Sequence, residues 1–262
     1  MPTALTRPAL RGPLVIVERN VMIYRHTWLV LVSEIFEPAL YLFAFGLGIG
    51  ALVGEVPGLG SSGVSHPAFV APALLATAAM NGAMNETSFT MFGKLRTDRT
   101  YESVLTTPVT VRDVALGEVA WALIRGGVVA VGFLGVVAAT GLVVSPWIVL
   151  AVPGALLVGY AFASLGLLVV TLLRTWQDFQ YIQLAMLPMF LFATTFYPLD
   201  VYPQAVRSLV VCLPLYQSIE LLRRPALGDP GADLLLPALY LLLLGTAALL
   251  LAVRRLERTL RP

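Results

Sequence analysis

Five ionisable residues stand within stretches that are otherwise apolar: Glu34, Glu37, Glu86, Glu118 and Arg125. Charges in such surroundings are costly, so they pair with one another or line a water-filled cavity. Glu34 and Glu37 are three residues apart, which puts them on one face of a helix. At 1.5 Å per residue they lie about 8 and 12 Å inside their apolar run, Glu86 about 9 Å inside its own, and Arg125 about 15 Å. The five therefore define a polar layer in one half of a membrane. An ion pair from Arg125 to Glu37, Glu86 or Glu118 would lower its cost. The layer is open to two readings: a polar vestibule for a headgroup or sugar, or a structural ion pair that holds helices in register. Carboxylates at such depths also serve as proton carriers.

The elements that hold these residues follow from composition. Of 262 residues, 58% are apolar and 12% charged, about half the roughly 25% of a soluble domain. So few charges cannot coat a globule of this size, which excludes a soluble enzyme, a disordered chain and a disulfide scaffold. A net charge of +2 gives no case for nucleic acid. A bilayer core needs about 20 apolar residues as helix. Residues 126–173 run for 48 residues without a charge, broken by Pro146 and Trp147, and so supply two spans. The predicted fold is all-α and integral to the membrane, with six spans at 29–52, 67–92, 114–140, 147–173, 179–198 and 233–254. A barrel would show short alternating segments instead.

Lys and Arg placement sets the expected orientation. Thirteen of them fall before the first span, in the second–third and fourth–fifth loops and in the tail, while 53–66 and 141–146 carry none. Both termini are therefore expected in the cytoplasm. Residues 9–27 are too short of aliphatic run for a signal peptide. Leu10, Leu14, Val17, Val21, Tyr24 and Trp28 recur at helical spacing there, which predicts an amphipathic helix lying in the interface. Residues 98–107 form a short helix between the second and third spans, ended by Thr107-Pro108, and Thr110 and Asp113 form a capping box for the third span. Such a helix, tied to two spans, suits transmission of movement from a soluble partner. Tyr101 and Leu105 share a face that can enter an apolar groove, flanked by Arg99 and Glu102. Residues 199–222, punctuated by Pro203 and Pro214, predict a re-entrant helical hairpin. Gly46 and Gly50, and Ala122, Gly126 and Ala130, form small-residue ladders for close helix contact.

Several chemistries find no residues. Gly93-Lys94 is followed by Leu95, so no phosphate-binding loop is present. Cys212 is the one cysteine, and His26 and His66 have no partner at ligand spacing. No metal site and no nucleophile–base pair is predicted. Asn85-Glu86-Thr87 matches the glycosylation sequon by chance within a span.

The stretch Ala71 to Gly126, with Arg99-Thr100-Tyr101-Glu102, Thr107-Pro108 and Leu116-Gly117-Glu118, resembles the membrane subunit of ABC-2 type exporters. Phe196-Tyr197-Pro198-Leu199, Leu213-Pro214-Leu215 and Ile219-Glu220-Leu221-Leu222-Arg223 resemble the second signature of that family. The resemblance covers nearly the whole chain, 1–262, as a single domain. Within the family the chain is most similar to the NodJ type, permeases for nodulation-factor lipooligosaccharides, on Glu37-Pro38 and Met80 to Glu86, and next to the daunorubicin-resistance type. It implies a six-span subunit with an interfacial N-terminal helix, a coupling helix holding Arg99, Tyr101, Glu102, Leu105, Thr107 and Pro108, and re-entrant helices before the last span. It also implies a permease in the inner membrane, paired with a second copy or paralogue on separate ATPase subunits. Those subunits would bind ATP and magnesium, and this chain would hold no cofactor. The expected function is export of an amphipathic solute driven by that partner. Tyr216-Gln217 stands where the family often has a hydroxyl residue and His, and Arg207 is an added charge. The rival reading is a stand-alone ion-coupled secondary transporter with Glu34, Glu37 and Glu86 as carriers. Internal repeats typical of that class are not visible.

Overall fold

The structure is a computed structural model that describes residues 11–26, 29–48 and 64–260. Among these, every regular element is helical. Helix α1 spans Arg11–Tyr24, α2 Leu29–Gly48, α3 His66–Met84, α4 Thr100–Val104, α5 Val111–Ala139 and α6 Ala151–Val170. They are followed by α7 Phe179–Phe192, α8 Gln204–Val211, α9 Pro214–Ala226 and α10 Leu235–Leu260. Five helices are long and apolar enough to cross a membrane, or six if the bent pair α8–α9 counts as one. The protein is an integral membrane helical protein, as its composition requires. Residues 49–63, which hold Gly50 and the 53–66 loop almost entire, lie outside the described residues, as do 9, 10 and 27.

Helix α3 is the centre of the bundle. It packs against α2, α5, α6 and α9, and α6 in turn packs on α10. Its apolar residues are buried on all sides, as a helix with neighbours all round should be. Pro67 sits in its first turn, where a missing N–H costs nothing. Small residues allow the closest approaches. A Cβ on Gly245 of α10 would come within 3.0 Å of the Ala161 Cα in α6. Gly46 similarly brings α2 onto Pro67, at 3.2 Å from a built Cβ. Gly126 does not behave as a ladder residue: a Cβ there meets nothing within 4 Å, because it faces a cavity.

Several expected boundaries move. The second span does not stop at 92: α3 continues through π-helical turns, Asn85–Thr90 and Gly93–Thr97. The Thr87 and Ser88 hydroxyls donate to the Ala83 and Met84 carbonyls there, at 2.9 and 2.5 Å. The capping box at α5 forms as expected, with the Asp113 N–H donating to the Thr110 Oγ1 and the Thr110 N–H to the Asp113 Oδ2. A second box, Thr175 with Asp178, opens the turn into α7. Backbone N–H groups of Arg174 and Thr175 hold the Asp178 carboxyl below the usual range.

The expected span 179–198 is not one helix. Helix α7 has 14 residues, about 21 Å against a core of about 30 Å. It ends because the chain turns at Thr194, whose φ of 61° is left-handed. The carbonyls freed by that turn are met by side chains. Thr195 donates to the Phe190 carbonyl at 3.0 Å, Tyr197 to Leu191 at 3.2 Å and Tyr202 to Phe192 at 3.3 Å. The expected hairpin 199–222 is the α8–α9 pair, bent by 84° and running on to Ala226. Gln217 braces the bend by donating to the Val211 carbonyl at 2.7 Å. Arg207 folds back on its own segment, 3.2 Å from Asp200 and 2.8 Å from the Tyr202 carbonyl.

Candidate functional site

Helix α5 places Glu118 and Arg125 seven residues apart, two turns along one face. Around them the polar layer closes. The Arg125 guanidinium forks onto both carboxylate oxygens of Glu34 from α2, Nε donating to Oε2 at 3.0 Å. Its Nη1 binds the Glu86 carboxylate from the π-helical end of α3 and donates to the Tyr24 hydroxyl of α1 at 2.9 Å. Tyr24 donates in turn to Glu86 at 2.9 Å. One guanidinium thus joins four helices.

The chain of charges continues toward α4. Lys94 Nζ lies 3.8 Å from Glu86 and donates to both oxygens of Glu118, at 3.0 and 2.8 Å. Asn20 of α1 donates to Glu118 at 3.1 Å and accepts from Lys94 at 3.3 Å. Tyr101 of α4 donates to Glu118 at 2.8 Å. Glu86 and Glu118 are fully buried. Burial, then the Glu118 carboxylate, pushes the Tyr101 phenol well above its usual value, and burial, then Glu86, pushes Tyr24 up to about 12. Removing one member of such a network strands the rest, at about 3–5 kcal/mol for a buried pair.

The sequence expectation was met in part. Arg125 pairs with Glu86, one of the three expected carboxylates. Glu34 takes the other side, Glu118 belongs to Lys94, and Glu37 has no ion-pair or hydrogen-bond partner among the described residues. Lys94, read as a loop charge, is drawn inside because α3 runs on to Thr97. Asn20 lies off the stripe that the periodicity of α1 suggests, because the helix turns a different face inward, and Tyr24 lies on that stripe but joins the layer through its hydroxyl, which spacing does not reveal. Ile16 and Asn20 are buried against α5, while Leu14 and Val21 are exposed. Gly117 permits that seat: a Cβ on it would stand 2.6 Å from the Ile16 Cβ and 2.9 Å from the Pro13 carbonyl.

The expected coupling helix is shorter than 98–107. Only Thr100–Val104 is helical, entered through Arg99 at a φ of 46°. Tyr101 does not share an outward face with Leu105. It is fully buried with its hydroxyl on Glu118, and Leu105 is half-buried. Arg99, Glu102, Thr107 and Pro108 form the exposed surface, with Arg99 and Glu102 3.8 Å apart.

Beside the Arg125 layer lies a cavity of about 310 Å³, between α2, α3, α5 and α7. Glu34, Glu37, Tyr41, Asn81, Asn85 and Gln183 supply polar lining, and Leu74, Met80, Val129, Met186, Leu187 and Phe190 supply apolar lining. A cavity with both kinds of wall takes an amphipathic molecule. Gly82 and Gly126 leave it room, since a Cβ at either meets nothing within 4 Å. Among the described residues, no group of His, Cys, Asp and Glu is placed to hold a metal ion.

A second polar cluster sits at the broken end of α7. Arg223 of α9 is buried, its guanidinium 3.8 Å over the Phe69 ring. It donates to the Thr194 carbonyl at 2.7 Å, to Thr195 at 3.4 Å and to Phe69 at 3.3 Å. The His66 Nε2 lies 3.2 Å from the Phe196 carbonyl.

Comparison with known proteins places this arrangement. The profile of the ABC-2 type transporter family matches residues 14–226. Nodulation protein J of Rhizobium leguminosarum bv. viciae is 36% identical over 222 residues, 83% of each chain. Nodulation protein J of Rhizobium meliloti is 36% identical over 81% of this chain and 80% of its own, and that of Sinorhizobium fredii 33% over 92% and 91%.

Proposed function

The chain belongs to the ABC-2 type transporter family, and from that premise we propose that it is the permease of an exporter moving an amphipathic solute outward across the inner membrane. As a family member it is a multi-pass membrane subunit of a transporter and is not itself an ATPase. Family membership implies a partner ATPase subunit and a second permease. The partner would bind ATP and magnesium. The likeness to nodulation proteins J and the NodJ-type signatures make a lipooligosaccharide the first solute to test. At about 310 Å³ the cavity is at the small end of ligand sites, which run from about 300 to 1,000 Å³. It has room for one end of such a molecule at a time.

The observation that carries this reading is the chain of hydrogen bonds and ion pairs from Tyr101 on α4 through Glu118, Lys94, Glu86 and Arg125 to Glu34 in the cavity wall, joined between Lys94 and Glu86 by an ion pair at 3.8 Å. It gives a partner seated on α4 a physical route to the cavity. Arg99, Glu102, Thr107 and Pro108 present the seat, Leu105 adds an apolar edge, and Tyr101 positions the loop from inside. The Lys/Arg asymmetry supports both termini in the cytoplasm, and the bent α8–α9 pair then dips into the outer leaflet. The ion-coupled alternative is weakened because Glu34 and Glu86 are each bound to a cation.

The test is to identify the partner ATPase by co-purification with the chain and reconstitute both in vesicles. Amphiphile-stimulated hydrolysis with transport is expected. Transport driven by an ion gradient without any ATPase would overturn the reading. In a Cys212→Ser background, Ser61→Cys should label with an impermeant reagent from outside and Thr97→Cys should not. The reverse pattern would reject the orientation and, with it, the seat on α4.

A further inference from the structure

The cavity wall has a charge character that its lining alone does not announce. Among the described residues that line it, the one cation, Arg125, is engaged on all three nitrogens: Glu34 takes two, and Glu86 and Tyr24 the third. One N–H, on Nη2, is left over, and the charge is already matched by the Glu34 and Glu86 carboxylates, so it offers an anionic ligand little. Glu37 is the opposite case. It lines the cavity, is exposed, and has no partner among the described residues. A carboxylate about 12 Å along a spanning helix cannot face lipid cheaply, so it faces a hydrated space. Tyr41 stands one turn on from Glu37 on the same face of α2 and also lines the cavity, and Phe190 enters it from α7. Those two rings belong to one aromatic row, Tyr41 with Phe45, Phe45 with Phe196 and Phe196 with Phe190, with centroids 6.1, 4.6 and 5.5 Å apart. A carboxylate beside aromatic faces is the chemistry that holds an ammonium group, by charge and by cation–π attraction.

We propose that the cavity selects amphiphiles with a cationic, ammonium-type head, held by Glu37 and Tyr41, and rejects anionic heads. This rests on the exporter reading only for the role of the cavity in transport, and the binding preference stands apart from coupling. Asn81, Asn85 and Gln183 then bind neighbouring hydroxyl or amide groups of the head, and the apolar wall takes the start of the tail.

The experiment uses the full chain in zwitterionic phosphatidylcholine nanodiscs, with empty nanodiscs subtracted. Three probes share one octyl chain: octyltrimethylammonium, octyl glucoside and octyl sulfate. Equilibrium titration should show the ammonium binding about ten-fold tighter than the sulfate, as expected for one desolvated charge contact with aromatic support. Glu37→Gln should reduce that ratio to about two-fold or less, because the carboxylate is its source. Tyr41→Leu should weaken the ammonium alone. Gly126→Leu, which fills the cavity, should abolish binding of all three. The proposal is overturned if the sulfate or glucoside binds as tightly as the ammonium, or if the preference survives in Glu37→Gln. Should Glu37→Gln fail to fold, Tyr41→Leu decides by the same ratio. An ammonium preference without ATPase-driven transport would refute the exporter reading alone. Stimulated hydrolysis with a glucoside preference would refute the ammonium assignment alone.

Discussion

The Arg125 layer and the Arg223 cluster solve one problem by opposite means. Both bury a guanidinium in an apolar bundle. Around Arg125 the compensation is charge: three carboxylates, Glu34, Glu86 and Glu118, against Lys94 and Arg125. Around Arg223 the described contacts include no carboxylate, and the compensation comes from backbone carbonyls of residues 69, 194 and 195 with the Phe69 ring. The first depends on which side chains are present and draws them from α1, α2, α3, α4 and α5. The second depends on where the backbone turns, because the carbonyls are available only where α7 breaks. A side-chain network can be redistributed as helices move, whereas a guanidinium clamped on carbonyls fixes a turn.

That contrast can be broken most directly at Arg125. Arg125→Leu strands Glu34 and Glu86 and should cost about 3–5 kcal/mol, read as lost folded yield and lower Tm in detergent. Lys94→Met should cost a similar amount, and adding Glu118→Gln should recover about half of it, since the Gln oxygen still accepts from Asn20 and its amide N–H can donate to the Tyr101 hydroxyl while the unpaired charge is gone. A double variant worse than Lys94→Met alone would show that the layer is not balanced by charge. Arg223→Met should cost less, about 1–3 kcal/mol, because it leaves neutral carbonyls unsatisfied instead of charges. If it exceeds Arg125→Leu in the same assay, the comparison fails. Gly117→Leu forces α1 off α5, and overpacking of this kind costs about 1–3 kcal/mol. Protease cleavage near Tyr24 should then speed up. The smallest effect is at Thr194, where Gly removes the left-handed strain of about 1 kcal/mol but forfeits a 3.5 Å contact from Arg223 and the packing of a small buried side chain. A change in Tm of less than a few degrees is expected, and a large fall would mean that the Thr194 side chain holds the turn.

These two regions were unequally legible in the sequence. Glu34, Glu86, Glu118 and Arg125 announced themselves because a charge in an apolar run is rare. Lys94 did not, because it stands next to Arg96 and Arg99 and looks like loop. Its inclusion depends on the π-helical turns, and no residue pattern in Asn85–Thr97 distinguishes those from ordinary helix. Tyr101 was read with the wrong face outward, since spacing shows that Tyr101 and Leu105 are neighbours but not which neighbour is buried. The Arg223 cluster was invisible, because its partners are backbone carbonyls and every residue has one.

The sequence by itself determined the class of the protein: apolar runs of bilayer length, with few charges, leave only a helical membrane protein. It also determined the capping box at Thr110, the bend near Pro214, and the family signatures, all of which are local. What the tertiary structure decided is the pairing. Arg125 could have met any of several carboxylates at similar depth, and helix rotation chose Glu34 and Glu86. Rotation also left Glu37 in the cavity wall and turned Asn20 inward. Depth along a helix can be counted from sequence at about 1.5 Å per residue. Azimuth is set by how neighbouring surfaces pack, as at Gly117 against Ile16, and that is a property of two helices together.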